Sequence, residues 1–211
     1  NTMRYIFFKF LIYFYLVMTL FSGLVKAESF IRVRGYQPSP LLSESTEKGS
    51  YQVSSEKTKM EISFKKSQGW MISYKNIGIG NTVLNNTFSY DDASYQLESN
   101  SQDAALIFNG PGNTSITLGS GIITSGKGSI VRYDKEFISN KVEGRAVFGF
   151  FGLEYELPFN LDFIGLEFTE ILFGYRENDL SFSNFESGSE SLGNTLKIKS
   201  FHYLFGIGLV F

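Results

Sequence analysis

Apolar and polar residues alternate at every second position over much of this chain, and the alternation is clearest at its C-terminal end. From Phe201 to Phe211 the odd-numbered positions read Phe, Tyr, Phe, Ile, Leu and Phe. Successive side chains of a β-strand point to opposite faces, so this pattern predicts a strand with one apolar face. The rest of the chain after residue 27 lacks the 3.6-residue period of an amphipathic helix, which predicts an all-β domain.

The N-terminal segment has the composition of a secretory signal peptide. Arg4 and Lys9 lie in its basic leading part, and a mainly apolar run extends over residues 10–25. Signal peptidase reads small residues at the end of such a run, which predicts cleavage between Ala27 and Glu28.

This interpretation divides the chain into two parts. Residues 1–27 are the signal peptide, with Asn1 and Thr2 as two extra residues before the methionine, and residues 28–211 are one domain. An uncleaved membrane anchor is the alternative, since the run approaches the ~20 apolar residues that span a bilayer.

The charge of the exported domain excludes one class of partner. Cleavage of the signal peptide removes three of the 19 basic residues, Arg4, Lys9 and Lys26. The exported domain then has 16 basic and 21 acidic residues and a net charge of −5. A mildly acidic domain does not favour binding to nucleic acid. The chain has no cysteine, so no disulfide can stabilise it, and stability must come from packing or from closure of a sheet.

The alternating segments predict eight strands whose connections alternate between short and long. The strands are residues 29–36, 57–66, 70–80, 95–109, 114–128, 142–157, 161–176 and 196–211. Short turns at 67–69, 110–113 and 158–160 alternate with four long loops at 37–56, 81–94, 129–141 and 177–195. This asymmetry predicts an antiparallel up-and-down transmembrane β-barrel with long extracellular loops. A tight turn at residues 125–128 would give ten strands instead, and a soluble exported β-sandwich is the other alternative.

A narrow barrel must place the second face of each strand in its interior, where charges need partners. Arg32 and Arg34 alternate with Ile31 and Val33, and Glu154 and Glu156 alternate with apolar residues of their strand. We therefore predict an interior charge network that contains Arg32, Arg34, Glu154 and Glu156. The alternative is that some of these side chains lie beyond the membrane in water.

Strand 161–176 does not keep one phase. Leu166 and Phe168 share a face with Glu170, whereas Ile171 and Phe173 lie on the other face. One β-bulge between about residues 168 and 171 would reconcile the two halves of this strand.

The sequence offers little for catalysis or metal binding. His202 is the only histidine, and Ser200 lies two residues before it on a face that points inward, which favours a packed histidine over a catalytic one. One histidine without cysteine excludes the usual zinc and iron ligand sets. We predict that the protein is not an enzyme and has no cofactor and no metal site.

The last residues resemble the recognition signal of bacterial outer-membrane barrels, which the assembly machinery reads. The resemblance covers Tyr203, Gly206, Leu209 and Phe211, although Leu204 stands where a polar residue is usual. With the strand pattern, the mature chain resembles the small outer-membrane β-barrel proteins of Gram-negative bacteria, such as the opacity-type barrels and the OmpX- or OmpA-transmembrane-type barrels.

The resemblance implies a location, partners and a general role. It places the protein in the outer membrane, among lipid and lipopolysaccharide, with the barrel-assembly machinery and periplasmic chaperones as partners during biogenesis. It implies a barrel with a filled interior and a structural or surface-interaction role through its four extracellular loops. A small channel or transport barrel for small solutes is the alternative function, and no external ligand follows from the sequence.

Overall fold

The computed structural model describes residues 31–48, 53–54, 67–90, 93–132, 134–156, 165–192 and 195–211. The predicted signal peptide, its cleavage site at Ala27 and Glu28, and the predicted strand 57–66 lie outside these residues. The described elements are twelve strands: β1 Ile31–Lys48, β2 Val53–Ser54, β3 Gln68–Tyr74, β4 Ile77–Tyr90, β5 Ala93–Gly110, β6 Thr114–Arg132, β7 Lys135–Ser139, β8 Lys141–Glu156, β9 Phe168–Ser183, β10 Glu186–Ser187, β11 Glu190–Ser191 and β12 Thr195–Val210. Within these ranges no helix is long and apolar enough to cross a bilayer.

Eight of these strands close into one antiparallel barrel. The order around the barrel is β1, β3, β4, β5, β6, β8, β9 and β12, and β12 pairs again with β1. At this seam the backbone amides of Ile31 and Phe211 each donate to the carbonyl oxygen of the other residue, both at 2.8 Å. Closure satisfies the backbone groups that an open sheet would leave at its edges. The prediction of an eight-stranded antiparallel barrel is confirmed.

The predicted third strand is wrong. Residues 70–80 do not form one strand, because the chain turns at Lys75 and Asn76 between β3 and β4. Lys75 has a φ of 53°, a left-handed conformation that lysine rarely adopts, so Asn76 is the only residue of this turn that favours one. Gly69 suggested a turn, but it lies within β3, where a Cβ atom would approach Cε2 of Tyr36 to 2.1 Å. This glycine makes room for an interior ring.

The prediction of four long loops is also wrong for most of their residues, because the strands extend into them. β1 continues to Lys48, β4 to Tyr90 and β9 to Ser183. The short strands prolong the barrel wall, since β7 pairs with β6 in the register of β8. The described connections that remain are short turns at the ends of the strands, which we call tips. Examples are the tips at Asp134, with φ 60°, and at Gly188, with φ 61°.

Two further expectations about strand continuity are wrong. Residues 125–128 lie inside β6 and pair with β5, so they form no hairpin turn and the ten-stranded alternative fails. The irregularity in β6 is a register shift opposite Asn100 and Ser101. β9 pairs with both neighbours without a register shift from Phe168 onward, so it has no bulge at 168–171. Its phase is continuous because the strand starts only at Phe168.

The barrel has two ends, which we name by their connections. The turn end contains the turns at residues 75–76 and 111–113 and the seam between Ile31 and Phe211. The loop end contains the tips at Asp134 and Gly188. The turn half and the loop half of the barrel are the halves next to these ends.

Exposed apolar side chains surround the turn half. We call this set the apolar belt; it consists of Ile31, Val33, Trp70, Ile72, Tyr74, Ile77, Ile79, Leu106, Leu118, Ile122, Val147, Phe151, Tyr155, Ile171, Phe173, Tyr175, Tyr203, Phe205, Ile207 and Leu209. Along β8 it extends from Tyr155 to Val147, which at ~3.3 Å per residue and a tilt of ~40° gives a height of about 20 Å. This height is close to the apolar band of ~25 Å on barrels that span a membrane.

The polarity of both faces inverts in the loop half. There the outward side chains are polar, for example Gln102, Arg145 and Asp179, all of them exposed. The interior of this half is apolar instead, with a buried cluster of Ala93, Tyr95, Leu97, Ile123, Ile130, Phe137, Leu180, Phe182, Phe185, Leu196 and Ile198. We call this cluster the upper core. The turn half is therefore built for an apolar surrounding and the loop half for water.

Candidate functional site

The interior of the turn half contains a fully buried ion pair. Arg34 of β1 donates from Nε to Oε2 of Glu170 at 2.7 Å and from NH2 to Oε1 at 2.6 Å, and both side chains have no exposed surface. Thr117 accepts from NH1 of Arg34 at 2.6 Å, and Ser115 donates to Glu170. Two parallel charge-assisted bonds with hydroxyl partners neutralise both charges inside the barrel.

A second ion pair lies nearer the turn end. NH2 of Arg32 donates to Oε1 of Glu154 and to Oδ1 of Asn109, at 2.8 and 2.9 Å. The Glu154 side chain is 11% exposed, so this pair is at the boundary of the interior. Glu156, two residues further along β8, is exposed.

Three of the four residues predicted for the interior network therefore lie in the interior, in two separate ion pairs, and Glu156 lies outside them. The sequence interpretation missed Glu170 as the partner of Arg34. The sequence alternation of β9 could have identified Glu170 as an interior residue, because it lies on the face opposite to Ile171 and Phe173. The assumed bulge obscured it.

An apolar layer lies next to these pairs on the side toward the loop end. It consists of Tyr36, Met71, Ala105, Phe148, Phe150, Leu172 and Leu204, which come from six of the eight barrel strands. The ring centroids of Tyr36 and Phe150 are 4.8 Å apart, and those of Phe148 and Phe150 are 5.8 Å apart. β4 and β6 contribute glycines, and a Cβ atom on Gly119 would lie 2.2 Å from Cζ of Phe148. Side chains from six strands thus pack against one another across the interior at this level.

A third ion pair lies above this layer, and the sequence interpretation missed it. Arg176 of β9 donates from NH1 to Oδ2 of Asp103 at 2.9 Å and from NH2 to Oδ1 at 3.1 Å, with both side chains fully buried. Ser101 accepts from the same guanidinium at 2.6 Å, and Thr82 accepts at 3.1 Å. The Arg176 guanidinium also lies 5.3 Å from the ring centroid of Phe148, within cation–π range. Nothing in the spacing of Asp103 and Arg176 along the chain predicts their contact.

The histidine is part of this polar layer and does not form a catalytic pair. Nε of Arg176 donates to Oδ1 of Asn178 at 2.8 Å, so the amide nitrogen of Asn178 faces Nδ1 of His202, at 3.2 Å. The same amide nitrogen lies 3.4 Å from Oγ of Ser200. An amide therefore lies between Ser200 and His202, where a nucleophile and its base would need to touch. Among the described residues no group of three histidine or acidic side chains could hold a metal ion.

The residues predicted as an assembly signal lie along the last strand at the seam. Tyr203 and Leu209 point outward in the apolar belt, and Gly206 packs against Tyr36. Leu204 belongs to the interior apolar layer. Phe201 lies on the same outward face, opposite Glu177, but its side chain is only 2% exposed because it is covered there, and it stacks on Tyr175 at a centroid distance of 6.1 Å.

Comparison with solved structures finds other small barrels. Neisserial surface protein A aligns over 86% of this chain and 96% of its own, at 11% identity and a TM-score of 0.42. The outer membrane protein OprG from Pseudomonas aeruginosa aligns over 88% and 97%, at 12% identity and a TM-score of 0.48. Ail, the attachment invasion locus protein of Yersinia pestis, aligns over 87% and 98%, at 13% identity and a TM-score of 0.34.

The protein has the fold of a closed, antiparallel eight-stranded β-barrel. This assignment follows from the closed ring of eight antiparallel strands in the chain itself. No protein-family model and no curated protein sequence matches the chain.

Proposed function

We propose that the protein is an integral barrel of a Gram-negative outer membrane, with a structural or surface-interaction role carried by its loop half. The apolar belt supports insertion of the turn half, since exposed isoleucine, leucine and aromatic side chains are stabilised by lipid. The polar exterior of the loop half supports its position in the water outside the cell. The hydrophobic run of residues 10–25 supports export.

The observation that carries the proposed role is the filled interior. Two buried ion pairs and the apolar layer between them occupy the cross-section of the turn half, and the upper core fills the loop half. An eight-stranded barrel is just wide enough for its side chains to fill it. Solutes therefore have no open path along the described interior, and the exterior of the loop half is the surface that can meet other molecules.

Planar-bilayer recording separates this role from the alternative, a small channel. We expect the refolded protein to insert without discrete conductance steps. Reproducible steps that depend on the protein would establish a water-filled path and overturn the assignment of a filled interior. A band that shifts on boiling in gels of the refolded protein shows that the preparation used for recording is a folded barrel.

Single-cysteine labelling tests the location and the orientation, because the natural chain has no cysteine. Ser189→Cys introduces a thiol at an exposed tip of the loop end, and Asn113→Cys introduces one at an exposed turn of the turn end. We expect a membrane-impermeant maleimide to label Ser189→Cys on intact cells and to label Asn113→Cys only after permeabilisation. The reverse pattern would invert the orientation, and recovery in the soluble fraction would overturn the membrane location.

The last strand supports a further part of this proposal, its recognition during assembly. Tyr203, Gly206 and Leu209 belong to β12, which forms the seam with β1, and Phe211 follows directly after it. We propose that the assembly machinery reads this strand before the seam closes, and that periplasmic chaperones keep the chain unfolded until then.

A further inference from the structure

The outer wall of the loop half differs between its two sides. On β8, β9 and β12 it carries charges of both signs, namely Glu143, Arg145, Glu177, Asp179, Lys197 and Lys199. On β4, β5 and β6 the outward positions just above the apolar belt carry no charge: they are Asn81 and Val83 on β4, Asn100 and Gln102 on β5, and Thr124 and Ser125 on β6. We call this second side the uncharged wall. Its first charges, Glu98 and Lys127, are cross-strand partners further toward the loop end.

An exposed indole stands at the base of the uncharged wall. Trp70 is the only tryptophan of the chain, and its side chain is 49% exposed. The strand register places Trp70 opposite Asn81, Asn81 opposite Gln102, and Gln102 opposite Ile122. An aromatic ring at the upper margin of the belt therefore continues directly into two amide side chains.

The amides of this wall are partly preorganised. Asn81 donates from Nδ2 to Oδ1 of Asn100 across β4 and β5, at 2.5 Å. This bond fixes both side chains and leaves the carbonyl oxygen of Asn81 as an acceptor and the amide nitrogen of Asn100 as a donor. Gln102 adds another donor and acceptor on the same surface, and its side chain is exposed.

Sugars match this chemistry better than other components of a membrane surface. A pyranose presents hydroxyl groups that both donate and accept hydrogen bonds, and an apolar C–H face that packs on an aromatic ring. A phosphate would need the arginine or lysine that this wall lacks. The wall begins where contact with acyl chains ends, so its neighbour is the headgroup layer of the outer leaflet.

We propose that the uncharged wall, with Trp70 at its base, binds the core saccharide of a neighbouring lipopolysaccharide molecule. The inference rests on the proposed outer-membrane location. One sugar ring packs on Trp70 while its hydroxyl groups bond to Asn81, Asn100 and Gln102. The charged wall on β8, β9 and β12 stays available for other contacts. The uncharged wall is therefore the side of the barrel that binds the surrounding outer leaflet.

Fluorescence of the native Trp70 tests this proposal, because no other tryptophan contributes to the signal. The protein is refolded in nanodiscs whose scaffold protein has no tryptophan and which contain phospholipid, lipid A without core sugars, or lipopolysaccharide with its inner core. Quenching by aqueous acrylamide then reports the access of water to the indole. We expect the quenching constant to fall at least twofold with inner-core lipopolysaccharide, relative to both other discs. Equal quenching with lipid A and with inner-core lipopolysaccharide would overturn the proposal.

Matched variants on the two walls locate the contact. Asn81→Ala combined with Gln102→Ala should restore quenching in inner-core discs to the level of lipid A discs. Asp179→Ala combined with Lys197→Ala removes two exposed side chains from the charged wall and should leave the quenching constant unchanged. If both double variants behave alike, crowding by headgroups explains the protection and the saccharide site is excluded.

Two further measurements identify the molecule that protects Trp70. A third shows whether a negative result concerns the saccharide site or the outer-membrane location. Free core oligosaccharide added to phospholipid discs should not protect Trp70, and equal protection would exclude the requirement for a membrane-anchored partner. Protection that rises with the number of barrels per disc, without lipopolysaccharide, would assign the wall to a second copy of the chain. A heat-shifted band from the same discs shows that the barrel is intact, so a failed quenching test leaves the proposed location standing.

Discussion

At the scale of single residues, the interior is organised by the cost of leaving a buried charge without a partner. Arg34 and Glu170 share a bidentate contact without exposed surface, and so do Arg176 and Asp103. Removing one member leaves the other charged in a site that water does not reach, which costs more than the pair itself contributes. The partner of each arginine lies on a distant strand, so residue type alone does not identify it.

This reasoning gives a prediction for the acidic residues of the interior. Glu170→Gln should lower the free energy of unfolding by about 3–5 kcal/mol, because the Arg34 guanidinium loses its counter-charge. Glu156→Gln is the matched control, because Glu156 is exposed, and its effect should stay within ~0.5 kcal/mol. Urea unfolding in lipid vesicles measures both. Equal effects of the two variants would show that the buried pair has no special role.

A compensating pair of changes checks the cause. Arg34→Met together with Glu170→Leu replaces both charges by apolar side chains and should recover part of the stability lost in Glu170→Gln. No recovery would mean that the shape of the site, and not the unpaired charge, determines the loss.

At the scale of secondary-structure elements, the strands continue well beyond the apolar belt. β9 enters the loop half with its pairing intact, β5 and β6 stay paired there after one register shift, and inward side chains of all three belong to the upper core. Phe182, for example, has no exposed surface. Segments that the sequence predicts as loops are therefore parts of a packed sheet.

The upper core predicts that these segments contribute to stability as a buried core does. Phe182→Ala should lower the free energy of unfolding by about 3–5 kcal/mol, because it opens a cavity among buried side chains. Phe173→Ala on the same strand is the control, since its side chain is 45% exposed in the apolar belt and leaves no internal cavity. Hydrogen exchange of the β6 and β9 amides should accelerate in the loop half only for Phe182→Ala. Unchanged exchange in that half would argue against a packed upper core.

At the scale of the whole molecule, the two halves of one barrel match two different surroundings, lipid and water. The turn half has an apolar outside with ion pairs inside, and the loop half has a polar outside with an apolar inside. Each half follows the same rule, which is to match the exterior to its surroundings and to satisfy what remains in the interior. The level at which the polarity changes therefore marks the surface of the bilayer.

The position of that surface can be tested on one strand. Cysteine at Tyr175 should be protected from an aqueous maleimide and close to lipid-attached quenchers, whereas cysteine at Asp179 should react rapidly. The two positions lie four residues apart on β9 and both side chains are exposed, so burial within the protein does not explain a difference. Equal reactivity in vesicles would place the surface elsewhere on the barrel.

Three features follow from the sequence without the structure: the strand period, the closed barrel with its even number of strands, and the inward or outward direction of most side chains in the turn half. These features depend on local alternation, which each segment displays without its neighbours. The outward row of β12 is an example, since Tyr203, Phe205, Ile207 and Leu209 are all exposed.

Only the tertiary structure decided where the strands end, which charges meet and where the two solvents divide. The turn at Lys75, the partners Glu170 and Asp103, and the length of the strands in the loop half depend on register between segments far apart in the chain. An apolar face has the same alternation whether it contacts lipid or the barrel interior. The pattern around residues such as Ile130 and Phe182 therefore does not show which of the two they contact. Strand pairing around the barrel decides this, because closure of the sheet determines which face of each strand points to the interior.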